Sequence, residues 1–472
     1  MLINHLKIAW RSILKNKLFS FINVVGLSIG LCSALVIGAI IYFDFSFDTF
    51  HKDKDRIYRV TSLFKSGNDE FTNRGVPVPL MQTFKDGVSG VEEVAPFMSA
   101  NFSKVENKSQ EVILKNVNDG IFADEGYFQL FDYQWLAGNS QTALSEPAQV
   151  VLTKNTAAKY FPKKSPTDVI GSTLVYNDSI NVKVSGVVAD FEKNTDFKFT
   201  DFMSMSSAKM FGEKEIATSD QWNNTSSGDQ LFFKVREGVD MAAIQSRLDA
   251  LAKEHKNTAA WAADDERLFV LQSLPEIHFG GKSGDYPFNN SDHVASKTVL
   301  TSLSFVALFL LLLGCANFIN LNSAQALTRA KEIGIRKTLG SSKKQVVRQF
   351  LGETFILTVL ATLLSLLMAP FLLQQFSEFL PSGIDLSVLY SMQGILGIIL
   401  LVTIVSILSG FYPAFVLSKF RPVAVLKGQF TKGDKGTRLR KTLTVFQFVV
   451  AQVFVIATIL VTKQLHFVMN KD

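Results

Sequence analysis

Ala330-Lys331-Glu332-Ile333-Gly334-Ile335-Arg336-Lys337-Thr338-Leu339-Gly340 is a basic, helix-compatible stretch between two apolar runs long enough to cross a membrane. A charged loop between two spans cannot lie in hydrocarbon, so it faces water. Its Lys/Arg excess puts that water on the cytoplasmic side and makes the loop a handle for an intracellular partner. Working outward, the apolar residues fall in five blocks, at 20–43, 298–322, 353–376, 393–417 and 443–462. Each is near the roughly 20 residues that a bilayer core requires. The first is too long for a signal peptide and lacks a small-x-small cleavage site, and Ile29-Gly30-Leu31-Cys32 is a poor lipobox. It reads as a retained helix.

The flanks set the orientation. Lys7, Arg11, Lys15 and Lys17 precede the first span. Segment 323–352 carries Arg329, Lys331, Arg336, Lys337, Lys343, Lys344 and Arg348, and linker 418–442 is similarly basic. Loop 377–392, after the third span, has neither Lys nor Arg. This alternation places the N-terminus in the cytoplasm and tail 463–472 outside. Residues 44–297, about 250 in number, then form one extracytoplasmic domain large enough for its own core. In segment 1–19, Leu2, Leu6, Ala9, Trp10 and Ile13 recur at helical spacing beside a Lys7, Arg11, Lys15 row. That fits an amphipathic helix in the cytoplasmic interface, or equally an ordinary basic flank.

Hydrophobic residues make up 47% of the 472, charged ones only 19%, and mean hydropathy is +0.20. Because the apolar excess is blocked, it points to spans rather than to one large soluble core. The net charge of +6 sits beside those blocks, which suits lipid headgroups and argues against nucleic acid as a partner. Cys32 and Cys315 both fall in apolar runs, so the polar domain has no internal disulfide, and a Cys-ligated zinc site is excluded.

Within 44–297, strand-like segments at 57–64, 112–117, 148–152, 180–188 and 230–235 alternate with turn formers. Asp240 is placed to cap a helix bearing Met241, Ile244, Leu248 and Leu251 on one face. The fold class is therefore an α-helical transmembrane bundle of five spans with one large α+β extracytoplasmic domain. No HExxH, GxSxG, P-loop or Gly-rich dinucleotide motif occurs, and His51, His255, His278 and His293 are scattered. Glu92-Glu93 and Asp264-Asp265 read as solvated surface. We assign no catalytic residue and no metal ligand. The 41 Phe residues serve mainly as core and span filling.

Gly26, Gly30, Ala34 and Gly38 recur every four residues in the first span, a small-residue stripe that lets another helix approach. Asn317, Asn320 and Ser323 form an i, i+3 row near the cytoplasmic end of the second, suited to bonding between helices. No span has a central charge, which argues against ion coupling. Glu353, at the cytoplasmic edge of the third, is expected to snorkel or pair with Arg348, and Pro370 and Pro413 to mark a kink and a helix end.

Taken together, these stretches resemble the permease subunits of FtsX/MacB-type ABC transporters, over nearly the whole chain. Phe50 to Val60, Tyr127-Phe128-Gln129-Leu130-Phe131 with Leu136-Ala137-Gly138, Val151-Leu152-Thr153 with Ala158-Lys159-Tyr160-Phe161, and Gly186 to Asp190 are similar to landmarks of the MacB-like periplasmic core domain. Arg329 to Gly340, Gln349 to Glu353 and Ser409 to Ala414 resemble the FtsX-like membrane part. The resemblance implies that Lys331, Glu332, Ile333, Gly334, Ile335, Arg336, Lys337, Leu339 and Gly340 couple the chain to a separate ATPase. That partner would hold the ATP and Mg, and this chain no cofactor. It also implies a bacterial inner-membrane location, relay of ATP-driven motion to the periplasmic domain, and export or extraction of a hydrophobic, peptide or lipoprotein substrate. A periplasmic adaptor or substrate joins the lipid bilayer among the expected contacts.

The short form of the family has four spans. The fifth here, preceded by Arg438-Leu439-Arg440-Lys441, repeats the basic-then-apolar start of the chain. It resembles the opening of a second half, so the expected partner is that half of a duplicated long-form permease, with a homodimer as the fallback. The competing class is a membrane-anchored signalling subunit that controls a periplasmic partner such as a cell-wall hydrolase. The two differ in whether an ATPase docks near 332–340.

Overall fold

The computed structural model describes residues 11, 14–15, 17–212, 221–256, 266–280, 295–325, 333–335, 337–381, 383–418 and 434–469. The chain divides into two compact units, Phe43–Lys297 and Met1–Tyr42 with Thr298–Asp472. Most of segment 1–19, the Asp264-Asp265 pair, His293 and most of linker 418–442 lie outside the described residues.

The first apolar block forms helix α1 (Lys17–Phe45). The α+β unit follows with β1 (Ile57–Ser66), β2 (Asp69–Asn73), α2 (Val78–Lys85), β3 (Val91–Asn107), β4 (Val112–Ala123), α3 (Glu125–Leu130) and β5 (Trp135–Gly138). Next come β6 (Gln149–Thr153), α4 (Lys154–Tyr160), β7 (Thr173–Tyr176), β8 (Ile180–Val188), β9 (Asp201–Ser204), β10 (Asp229–Val235), α5 (Met241–Glu254) and β11 (Glu266–Ser273). The strands make one sheet in the order β11-β1-β10-β3-β4-β9-β6-β8-β5, with β2 added on β1 and β7 paired with β3 and β8. Pairing is mostly antiparallel. The exceptions are β4 with β9, where Gly120 faces Asp201, and β6 with β8, where Gln149 faces Lys183.

Side-chain alternation explains which strands lie where. In β8, Val182 and Val184 point inward while Asn181 and Lys183 face water. β6 is buried from Val150 to Thr153, as expected of a strand covered on both faces. The core is unusually aromatic. Phe97 stacks on Phe232 at 5.6 Å, and Phe131 and Phe197 meet Phe232 edge-on at 5.6 and 5.3 Å. Asp240 does cap α5, accepting from the Ala242 amide at 2.9 Å, and Ile244, Leu248 and Leu251 pack against Phe233 and Phe269.

The other long helices among the described residues are α6 (Lys297–Ala324), α7 (Lys343–Gln375), α8 (Met392–Ser418) and α9 (Asp434–Met469). With α1, these give five helices long and apolar enough to cross a membrane. Leu27 and Leu31 of α1 share a core with Leu311, Cys315 and Phe318 of α6, Leu357 and Ala361 of α7, and Val405 of α8. Pro413 does not end α8, which continues to Ser418. A proline removes one N–H from the ladder, and a membrane helix with packed neighbours tolerates that loss. Pro370 likewise lies inside α7. α9 rests on α6 through Phe309, whose ring is 6.3 Å from Phe446 and 5.4 Å from Phe454.

Candidate functional site: the basic turn before α7

Residues 333–335 and 337–338 are helical, and the turn ends at Gly340, whose φ of +99° is a left-handed stop that glycine adopts at little cost. Ser342 then starts α7 with a capping box. Its amide donates to Gln345 Oε1 at 2.8 Å, and its hydroxyl accepts from the Gln345 amide at 3.3 Å. The turn is thus joined to α7 with little slack. Ile333 is buried against Val346 and Phe350 of α7 and Ala414 of α8. Lys337 Nζ donates to the Ser418 carbonyl at 2.5 Å, placing a cation on the last residue of α8, where the helix dipole favours it. Burial, then the neighbouring Lys343, lower the Lys337 ammonium pKa.

Two apolar side chains of the turn face outward. Ile335 is 52% exposed and Leu339 82% exposed. Of the nine coupling residues expected from the sequence, Ile333, Gly334 and Lys337 therefore turn toward the bundle, while Ile335, Leu339 and Gly340 face out. Lys331, Glu332 and Arg336 lie outside the described residues. The anchors Val346, Phe350, Ala414 and Ser418 were not singled out as site residues. Their signal was indirect, in the segments at 349–353 and 409–414. Glu353 neither snorkels nor pairs with Arg348. It is buried and accepts from Gln349 Nε2 at 3.1 Å, one helical turn back on the same face, while Arg348 is exposed.

The small-residue stripe divides. A Cβ on Gly30 would sit 2.9 Å from the Leu310 carbonyl oxygen, and one on Gly26 would sit 2.9 Å from Asn317 Nδ2. At these two positions α1 and α6 approach closely, and the pairing shows them antiparallel. Gly38 faces open space, and Ala34 packs at the edge of the shared core. Asn320 Oδ1 is buried without a hydrogen-bond partner among the described residues. Among those residues, no group of three or more His, Cys, Asp or Glu is placed to hold a metal ion.

Two family models match the chain, a MacB-like periplasmic core domain over residues 20–251 and an FtsX-like permease C-terminal region over 304–422. The chain is an FtsX/MacB-type permease. This permease is 24% identical over 438 residues to the Macrolide export ATP-binding/permease protein MacB of Escherichia coli O6:K15:H31 (strain 536 / UPEC), covering 89% of this chain and 60% of that protein. The protein of the same name in Bdellovibrio bacteriovorus is 22% identical over 444 residues, covering 90% and 62%. The chain thus spans about 60% of the length of these curated relatives. Among solved structures, a domain of a permease protein from Porphyromonas gingivalis is similar with a TM-score of 0.40 and 17% identity, over 51% of this chain and 97% of that one. The periplasmic region of MacB from Actinobacillus actinomycetemcomitans gives 0.33 and 14%, over 49% and 94%. The permease is a membrane protein, with five span-length helices and a large α+β domain.

Proposed function

We propose that this permease is the membrane subunit of an ABC transporter in the bacterial inner membrane, driven through its basic turn by an ATPase on another chain. The charge bias of the flanks supports a turn on the cytoplasmic side and an α+β domain in the periplasm. The observation that carries the reading is that the turn is wedged and capped onto both α7 and α8, yet presents Ile335 and Leu339 to solvent. A push on those two side chains has nowhere to go except into the two helices. This reading assigns ATP and Mg to that ATPase; the 472 residues given contain no P-loop motif. The substrate is hydrophobic, peptidic or a lipoprotein. Support for an apolar substrate comes from a hollow of about 580 Å³ at the other end of α7, lined by Pro370, Leu373, Leu380, Ile384, Leu386 and Tyr390.

The test is capture of a co-expressed ABC ATPase by the full chain in detergent. Leu339→Glu, and separately the double reversal Arg336→Glu with Lys337→Glu, should abolish capture while membrane insertion stays normal. Undiminished capture by both variants would overturn the assignment.

A further inference from the structure

The chain enters the α+β unit at the end of α1 and leaves it just before α6, and one buried histidine touches both places. His278, 4% exposed, lies between two carboxylates. Its Nδ1 is 3.1 and 3.2 Å from the two oxygens of Asp196, and its Nε2 is 3.4 Å from Asp44 Oδ1, in the last turn of α1. The ring stacks on Phe47 with centroids 3.6 Å apart and planes 13° from parallel. On the exit side, the His278 carbonyl accepts from the Ala295 amide at 3.1 Å. Lys297, the first residue of α6, is 3.6 Å from Glu276 and lies 5.1 Å over the Phe279 ring, which itself packs on Phe45 at 4.9 Å.

The third strand of this knot follows β8. The Asp48 amide donates to the Asn194 carbonyl at 2.9 Å, Asn194 Nδ2 to Ser46 Oγ at 2.7 Å, and the Asp196 amide to Asp48 Oδ2 at 3.4 Å. Immediately afterwards, Phe197 and Phe199 enter the aromatic core, Phe197 at 5.0 Å from Phe131. Three chain segments far apart in sequence therefore meet at His278, two at its ring and the exit segment at its backbone carbonyl. Directional, charge-assisted bonds hold them, and slippage would strand a buried charge.

We propose that the Asp44–His278–Asp196 cluster is a rigid joint that makes the end of α1 and the start of α6 move as one body and delivers their displacement to segment 194–199. This goes beyond the transport reading, because it holds whatever drives the helices. His278 acts here as a positioning residue.

The experiment is hydrogen exchange on the full-length protein in lipid nanodiscs. Asp44→Asn keeps the side-chain shape and removes one partner of the imidazole. A joint requires that exchange rise roughly tenfold not only at 43–48 but also at 194–199 and 295–300. Asp196→Asn should likewise reach 295–300. If each variant speeds exchange only in its own segment, the cluster is a set of local ion pairs and the joint is refuted. A rise that includes β10 means general loosening of the sheet, and it refutes the joint as a separate device too.

Discussion

At the scale of single residues, buried charge governs this molecule more than its composition suggests. Burial alone would lower the His278 pKa, but the hydrogen bonds to Asp196 and Asp44 and their charges outweigh it, leaving the imidazole at about 9. Asp48 lies beside Asp196, whose amide donates to it at 3.4 Å, and burial raises the Asp48 carboxyl pKa. Because the folded value exceeds the ordinary histidine value of about 6.5, the stabilisation is complete below that pH and is lost as pH rises through 9. Melting temperature of the full chain should therefore fall between pH 6.5 and 9.5, and His278→Gln should flatten that slope. An unchanged slope in the variant would count against the assignment. Nothing local in the sequence marked His278, since its partners lie 234 and 82 residues away and no i, i+4 pattern exists to find. Glu92 of the Glu92-Glu93 pair is exposed, as expected, but it is also held by Arg56 at 2.7 Å and Lys234 at 2.8 Å, contacts that linear spacing does not reveal.

Among elements, those with an uninterrupted period were legible and those without were not. The five spans follow from length and hydropathy alone, and β8 and β10 from alternation or continuous apolarity. β3, the longest strand, escaped notice. Its sequence carries three glutamates and Pro96, and its register with β4 shifts between Ala100 and Phe102, so no single alternation runs through it. Pro96 is tolerated because it pairs with Leu231 of β10 but falls just before the first β4 pair, Phe97 with Ala123. The position of the basic turn was likewise readable from charge. Which of its faces points inward was not, because that depends on where α8 ends. Lys337→Met tests this level. It keeps the apolar stem but removes the ammonium from the Ser418 carbonyl, a loss of about 0.5–1.5 kcal/mol. Exchange at 414–418 should quicken several-fold while 355–365 stays protected.

For the whole molecule, the membrane unit has a dense part and an appended part. α1, α6, α7 and α8 share one core, whereas the side chains of α9 are largely exposed. Besides the two ring contacts of Phe309, α9 has a long bond from Gln447 Nε2 to the Leu313 carbonyl at 3.5 Å. Phe309→Ala should free α9 and leave the four-helix core intact, which protease cleavage in 419–433 and unchanged α1 exchange would register together. Equal loss of protection in α1 would mean that α9 is integral. The capped turn has one more consequence, in plain leverage. α7 runs 33 residues without a break, a rod of about 50 Å at 1.5 Å per residue. Tilting its wedged end by about 5° swings the far end, where the apolar hollow opens, through roughly 4 Å. That displacement is about the width of a methylene chain, so a small tilt at the capped end is enough to change the width of the hollow.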